Sequence, residues 1–200
     1  IMIAVTGGEP LLRRDLFEVM GYAHNLGFEW GIVTNGFFVN QEMVEKMKDS
    51  GMSSVVVSID GIGKIHDELR QMPGAYKKAI EAVKLIKKAN FVKILQVTTT
   101  ANKINFCQLE EIYKIMLDLG IDSWRVMNVD PIGRAELNNE LILDRKQMKW
   151  LLDFIREKRR KKGMEVIFGC EGFLGLEYEG EVRDWFFYCG TGINIGSILH

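Results

Sequence analysis

The chain has 200 residues, 47% of them hydrophobic, and a formal net charge of −1. This suits one ordinary domain, or one and a part, with a real core, and it supplies no general attraction to nucleic acid or to an anionic membrane. No run approaches the roughly 18 apolar residues of a spanning helix, no signal-peptide pattern opens the chain, and Cys107, Cys170 and Cys189 do not read as a disulfide scaffold, so a reducing, cytoplasmic location is expected.

In chain order, a strand over residues 2–5 leads into "TGGEP". A helix over 15–26 carries Leu16, Val19, Met20, Ala23 and Leu26 on one stripe and stops at Gly27. A strand over 31–33 runs into "TNG", and a helix over 41–50 follows Asn40 as its cap and ends at Gly51. A strand over 55–59 has the tail "SIDG", and a helix over 75–89 repeats Tyr76, Ala79, Ile80, Val83 and Ile86. The strand over 94–98 ends in "TTTAN". The helix over 106–119 follows Asn105 as a cap, with Gln108 at its third position, and stops at Gly120. The strand over 125–129 ends in "NVDPIGRA", and the helix over 145–162 follows Asp144 and stops at Gly163. A cap before, a glycine after and an apolar stripe at 3.6 spacing define each helix. A last strand covers 165–168. From there glycines, aromatics, Cys170 and Cys189 replace the helical stripe, which reads as the start of a second, β-rich module. The expected organisation is therefore 1–163 and 164–200. The chain starts inside a strand at Ile1, without an initiator Met, and stops in another strand-like run, "GSILH". A piece of a longer protein is expected.

Short β-branched strands alternating with helices build a parallel sheet, closed as a barrel or open and doubly wound. In either form the ligand site lies at the carboxyl ends of the strands, and every tail quoted above is polar. Glu9 at such a tail needs a cation, a metal or a donor-rich ligand. Gly7 and Gly8 let a ligand approach the backbone, and Pro10 stiffens the exit. An amino group held by the carboxylate suits this arrangement; a tight turn with a solvated Glu is the alternative. In "SIDGIGKIHDELR", residues 58–70, Ser58 offers a hydroxyl, Asp60 and Gly61 turn the chain, and Arg70 can fork onto a carboxylate. A surface ion pair of Arg70 with Asp67 or Glu68 is the alternative. His66 reads as a packing and hydrogen-bonding residue. Thr34, Asn35, Gln96 and Thr98 are expected at the barrel mouth, in no particular order.

"TGGEP" followed by "SIDG....HD..R" resembles the radical S-adenosylmethionine (SAM) superfamily, in particular its branch with a cysteine-rich auxiliary-cluster domain, called SPASM or twitch. "PIGRA", residues 131–135, is also typical of that branch. The resemblance implies a partial (β/α)6 TIM-like barrel, here without its first β/α unit. It implies that Gly7, Gly8 and Glu9, with Pro10, meet the amino group of SAM. Ser58 and Arg70, beside Asp60, would meet its carboxylate, and the backbone near Val129 its adenine. It also implies a [4Fe-4S] cluster on a CxxxCxxC loop that these 200 residues do not contain. The chain alone is then expected to be inactive, its parent being an enzyme that cleaves SAM to a 5'-deoxyadenosyl radical for hydrogen abstraction. A peptide or protein substrate is implied, as is an electron donor such as a flavodoxin or ferredoxin. Cys170 and Cys189 resemble the first ligands of an auxiliary [4Fe-4S] cluster, although the spacing departs from the commonest form of that motif; two unpaired thiols are the alternative.

The remaining features read more simply. Cys107 is expected to pack on the first turn of a helix, and the basic run over 156–162 is a solvated helix end that suits the dipole. Two further readings stay open: a barrel aldolase, which would want a Schiff-base Lys or a phosphate-binding loop that the strand ends lack, and a SAM- or partner-binding module without catalysis.

Overall fold

The computed structural model describes residues 1–169 and 174–184. Six parallel strands form one sheet: β1 (Met2–Val5), β2 (Glu29–Thr34), β3 (Ser54–Ser58), β4 (Ile94–Ala101), β5 (Ser123–Asn128) and β6 (Glu165–Phe168). Their spatial order is their chain order. The connecting helices are α1 (Leu16–Asn25), α2 (Gln41–Asp49), α3 (Lys64–Arg70), α4 (Ala75–Ala89), α5 (Leu109–Leu119) and α6 (Arg145–Arg159). The architecture is the expected parallel α/β one.

The helices cover one face of the sheet. Trp30 of β2 packs edge-on against Phe17 of α1, and Trp124 of β5 against Phe154 of α6. Val55, Val57, Leu95, Val97 and Val126 share that face and are buried with them. Strand alternation turns the intervening residues to the opposite, inner face. There the register aligns Ser58 with Thr98, Thr98 with Arg125, and Arg125 with Ile167. Gln96 donates from Nε2 to Ser123 Oγ at 3.0 Å across that face.

Two helix starts follow the sequence closely. Asn40 Oδ1 accepts from Met43 N at 2.8 Å, and Asp144 forms a reciprocal capping box with Gln147. Other details differ. On α1, Val19 and the following Leu26 are 45% and 61% exposed, so the buried stripe is narrower than the pattern predicts. Asn105 does not cap its helix. It is buried, its Nδ2 donating to the carbonyls of Asp60 at 2.6 Å and Thr100 at 2.9 Å, and a 3-10 turn (Phe106–Gln108) precedes α5. Gln108 accepts from Ile62 N at 2.9 Å through Oε1 instead of closing a capping box. Cys107, on that turn, is exposed rather than packed, while its neighbour Phe106 packs against the core and Leu109 is buried. The seven-residue α3 is an addition to the predicted elements.

β6 hydrogen-bonds to β5 as the sixth parallel strand, so the sheet continues past residue 163. Residues 174–184 fold back onto it: Phe168 N donates to Val182 O at 2.8 Å, and Tyr178 and Val182 join the core. Glu179 and Arg183 form a buried ion pair there.

Candidate functional site

The first component is the end of β1. Gly7 and Gly8 have φ of +87° and +38°, where a Cβ is disfavoured, and a Cβ on either would meet nothing within 4 Å. The space beside this turn is open. Pro10 is buried and starts a 3-10 turn, so its part is to fix the exit of the loop. Glu9 stands between, extended and half-buried. Its carboxylate accepts from Leu11 N at 3.2 Å and Thr34 Oγ1 at 2.8 Å on one oxygen, and from Asn35 N at 2.8 Å on the other. This is an oriented carboxylate, not a solvated one, and Oε2, which takes a single donor, retains a lone pair for another.

The loop that holds Glu9 is itself locked. Gly36 N donates to Thr34 Oγ1 at 3.0 Å, and Phe37 N to Asn35 Oδ1 at 2.8 Å. Gly36 has φ +77°, and a Cβ there would come within 3.1 Å of both Ala79 and Ala82 on α4. Close packing against α4 thus sets the position of the Asn35 amide.

The second component follows β3. Arg70 closes α3, and its Nη2 lies 2.6 Å from Asp60 Oδ2. Neither Asp67 nor Glu68 takes that guanidinium. Asp67 instead accepts from Gly74 N at 2.7 Å and Tyr76 N at 2.8 Å, which hold its carboxyl below the usual carboxylate range and anchor the start of α4. Asp60 is a junction: Oδ1 accepts from Thr100 N at 2.8 Å, its own N–H donates to His66 Nδ1 at 2.9 Å, and its carbonyl accepts from Asn105. His66 is 1% exposed. Burial pushes its pKa below the ordinary histidine value, with Asp60 opposing and Arg70 reinforcing. With Nδ1 accepting, the ring is the neutral packing residue that the sequence indicates.

The third component is the inner face. Ser58 is buried at the end of β3 beside Thr98 of β4. Thr98 Oγ1 is buried with no hydrogen-bond partner among the described residues. Arg125, its register neighbour on β5, is exposed in mid-strand. Val129 is half-buried directly after β5.

Because all six strands are parallel, Gly7, Gly8, Glu9, Ser58, Asp60, Arg70 and Val129 share one rim, with β1 and β3 about 10 Å apart at two strand spacings. Cys170 and Cys189 lie outside the described residues. Among the described residues no three or more His, Cys, Asp or Glu side chains cluster as a metal site, and no helix is long and apolar enough to cross a membrane. The sequence pattern did not single out Thr34 as the partner of Glu9, Asp60 as the partner of Arg70, or Arg125. A charge at an alternate position of a strand covered on its other face was the available signal for Arg125.

Parallel β/α units define an α/β barrel-type protein, and the oriented carboxylate and the guanidinium mark a candidate ligand site on its carboxyl rim. The chain belongs to the radical SAM superfamily, whose family model matches residues 2–116. It is 33% identical to an AdoMet-dependent heme synthase of Methanosarcina barkeri over 141 residues, 70% of this chain and 40% of that protein. It is 26% identical to a PqqA peptide cyclase of Bradyrhizobium diazoefficiens over 144 residues, 72% of this chain and 37% of that protein. The crystal structure of Streptococcus suis SuiB bound to S-adenosylmethionine has the same fold, with a TM-score of 0.65 at 19% identity over 85% of this chain and 38% of that one. The chain spans about two fifths of the length of these curated relatives. The partial TIM-like barrel expected from the sequence is the fold observed, and family membership sets aside an unrelated aldolase.

Proposed function

We propose that this chain is the SAM-binding barrel of a radical SAM enzyme, and that Glu9 and Arg70 grip the two ends of the methionine moiety. The observation that carries the reading is the Glu9 carboxylate, aimed by three donors beside open space over Gly7 and Gly8. It would take the ammonium group. Arg70, steered by Asp60, and the Ser58 hydroxyl would take the carboxylate. The backbone at Val129 would border the adenine. When bound and reduced by one electron from a [4Fe-4S] cluster, SAM supplies a 5'-deoxyadenosyl radical that abstracts hydrogen. The residues described here bind and orient; the cluster ligands are placed outside this chain, on the CxxxCxxC loop of the resemblance, and the electron comes from a flavodoxin- or ferredoxin-type donor.

For the substrate, maturation of a peptide or protein is supported by the similarity to a PqqA peptide cyclase. A tetrapyrrole is the second reading, favoured by the higher identities to proteins named AdoMet-dependent heme synthase, at 33%, and Fe-coproporphyrin III synthase, at 32%. We assign residues beyond the described barrel to an auxiliary-cluster module, with Cys170 and Cys189 as ligands.

The test is calorimetric titration of SAM into the anaerobically reconstituted full-length protein, with 5'-deoxyadenosine measured after reduction. Glu9→Gln and Arg70→Ala should each weaken SAM binding about tenfold or more. Unchanged affinity in both variants overturns the site, and SAM binding without deoxyadenosine leaves a binding module. Cys170→Ala and Cys189→Ala should lower the iron and sulfide count per chain; an unchanged count removes the auxiliary cluster.

A further inference from the structure

We infer that Arg125 and Thr98 form a carboxylate-recognition subsite for the substrate on the inner face of the sheet, a conclusion that rests on the barrel reading above. Three observations carry it. Arg125 stands in the middle of a strand, on the helix-free face, where its fork of N–H donors is open to a ligand. Among the described residues it makes no ion pair. Glu165, the acid on the same face by register, aligns with Ser123 rather than with Arg125 and forms no salt bridge with it. Beside Arg125 by register is Thr98, 7% exposed, whose Oγ1 is an unsatisfied buried polar atom. A native interior keeps few such atoms without a reason.

The two groups are complementary in what they offer. A guanidinium presents a planar fork of N–H donors that matches the two oxygens of a carboxylate, and an adjacent hydroxyl donates a further hydrogen bond to one of them. The position separates this subsite from the cofactor grip. Glu9 and Arg70 lie beyond the ends of β1 and β3, whereas Arg125 is within β5, three residues before its end at Asn128. Ser58 closes the same row at the cofactor side. A substrate would thus place its carboxylate deeper on the sheet and the rest of its body toward the rim.

The experiment uses the full-length, cluster-loaded protein with two carboxylate probes, coproporphyrin III as a tetracarboxylate tetrapyrrole and a hexaglutamate peptide. Binding of each is measured by fluorescence or calorimetry, with SAM affinity measured in parallel. Wild type should bind one of the two, and that arm identifies the source of the carboxylate. Arg125→Gln should raise its dissociation constant about tenfold or more, Arg125→Lys should recover part of the loss, and Thr98→Val should weaken it several-fold. SAM affinity should be unchanged in all three. Equal probe binding by wild type and Arg125→Gln overturns the inference, as does failure of wild type to bind either probe. A loss of SAM affinity in Arg125→Gln also overturns it, by moving Arg125 to the cofactor. Thr98→Val, a near-isosteric change, keeps the test valid if Arg125→Gln does not fold. Failure of the barrel reading is seen separately, in the response of SAM affinity to Glu9→Gln.

Discussion

Arg70 meets Asp60 at 2.6 Å while the other oxygen of Asp60 accepts the Thr100 amide at 2.8 Å, so the end of β4 determines where the guanidinium at the end of α3 stands. Asp60→Ala should release Arg70 to other rotamers and weaken SAM binding about tenfold, ~1.4 kcal/mol, without removing a group that touches the ligand. Arg70→Lys should not restore binding, because an ammonium cannot make the forked pair. Calorimetry on the two variants checks both statements.

Thr34 links two loops by donating to Glu9 and accepting from Gly36. Thr34→Val keeps the shape and removes the hydroxyl, leaving the Gly36 amide unsatisfied and Glu9 with one donor fewer. The expected cost is about 1–3 kcal/mol in urea unfolding. SAM affinity should fall several-fold in the same protein.

Gly8 and Gly36 both carry positive φ, but their surroundings differ. Gly36→Ala drives a methyl against α4 and should destabilise the protein by more than the roughly 1–2 kcal/mol of left-handed strain alone. Gly8→Ala meets no protein atom. Its stability loss should stay within that strain, while its effect on SAM binding should be the larger of the two, since the methyl enters the space left for the ligand. Paired melting curves and titrations separate the two.

His66 is held neutral by burial, with a folded-state pKa below the unfolded value near 6.5. The unfolded chain therefore binds the extra proton first as pH falls. The contribution of His66 is intact above pH 6.5 and declines as pH drops through 6.5 toward the folded-state value. Urea midpoints between pH 7.5 and 5.5 should show this slope, and His66→Asn should flatten it.

The strands and most helices were readable because their signals are local: β-branched runs, Asn40 and Asp144 caps, and glycine stops. Gly7, Gly8, Glu9 and Ser58 were readable as glycines and polar groups at strand ends, and Arg70 as a basic residue one turn past His66 and Asp67. What was hidden depends on distant partners. Helix α3 is too short to announce itself by periodicity and is held by His66 to Asp60 and Asp67 to the start of α4. Asn105 has the sequence context of a cap, yet its amide is used to bridge β4 and the loop after β3. Thr98 and Arg125 become neighbours only through the register of two strands that lie more than twenty residues apart in the chain.

Because each strand pairs with the one made immediately before it, the protein can assemble during translation without waiting for a later segment. At about 5–20 residues per second, every β/α unit leaving the ribosome meets a sheet edge already in place. A stalled nascent chain would hold a narrower version of the same sheet, so the order of synthesis itself guards against mispairing.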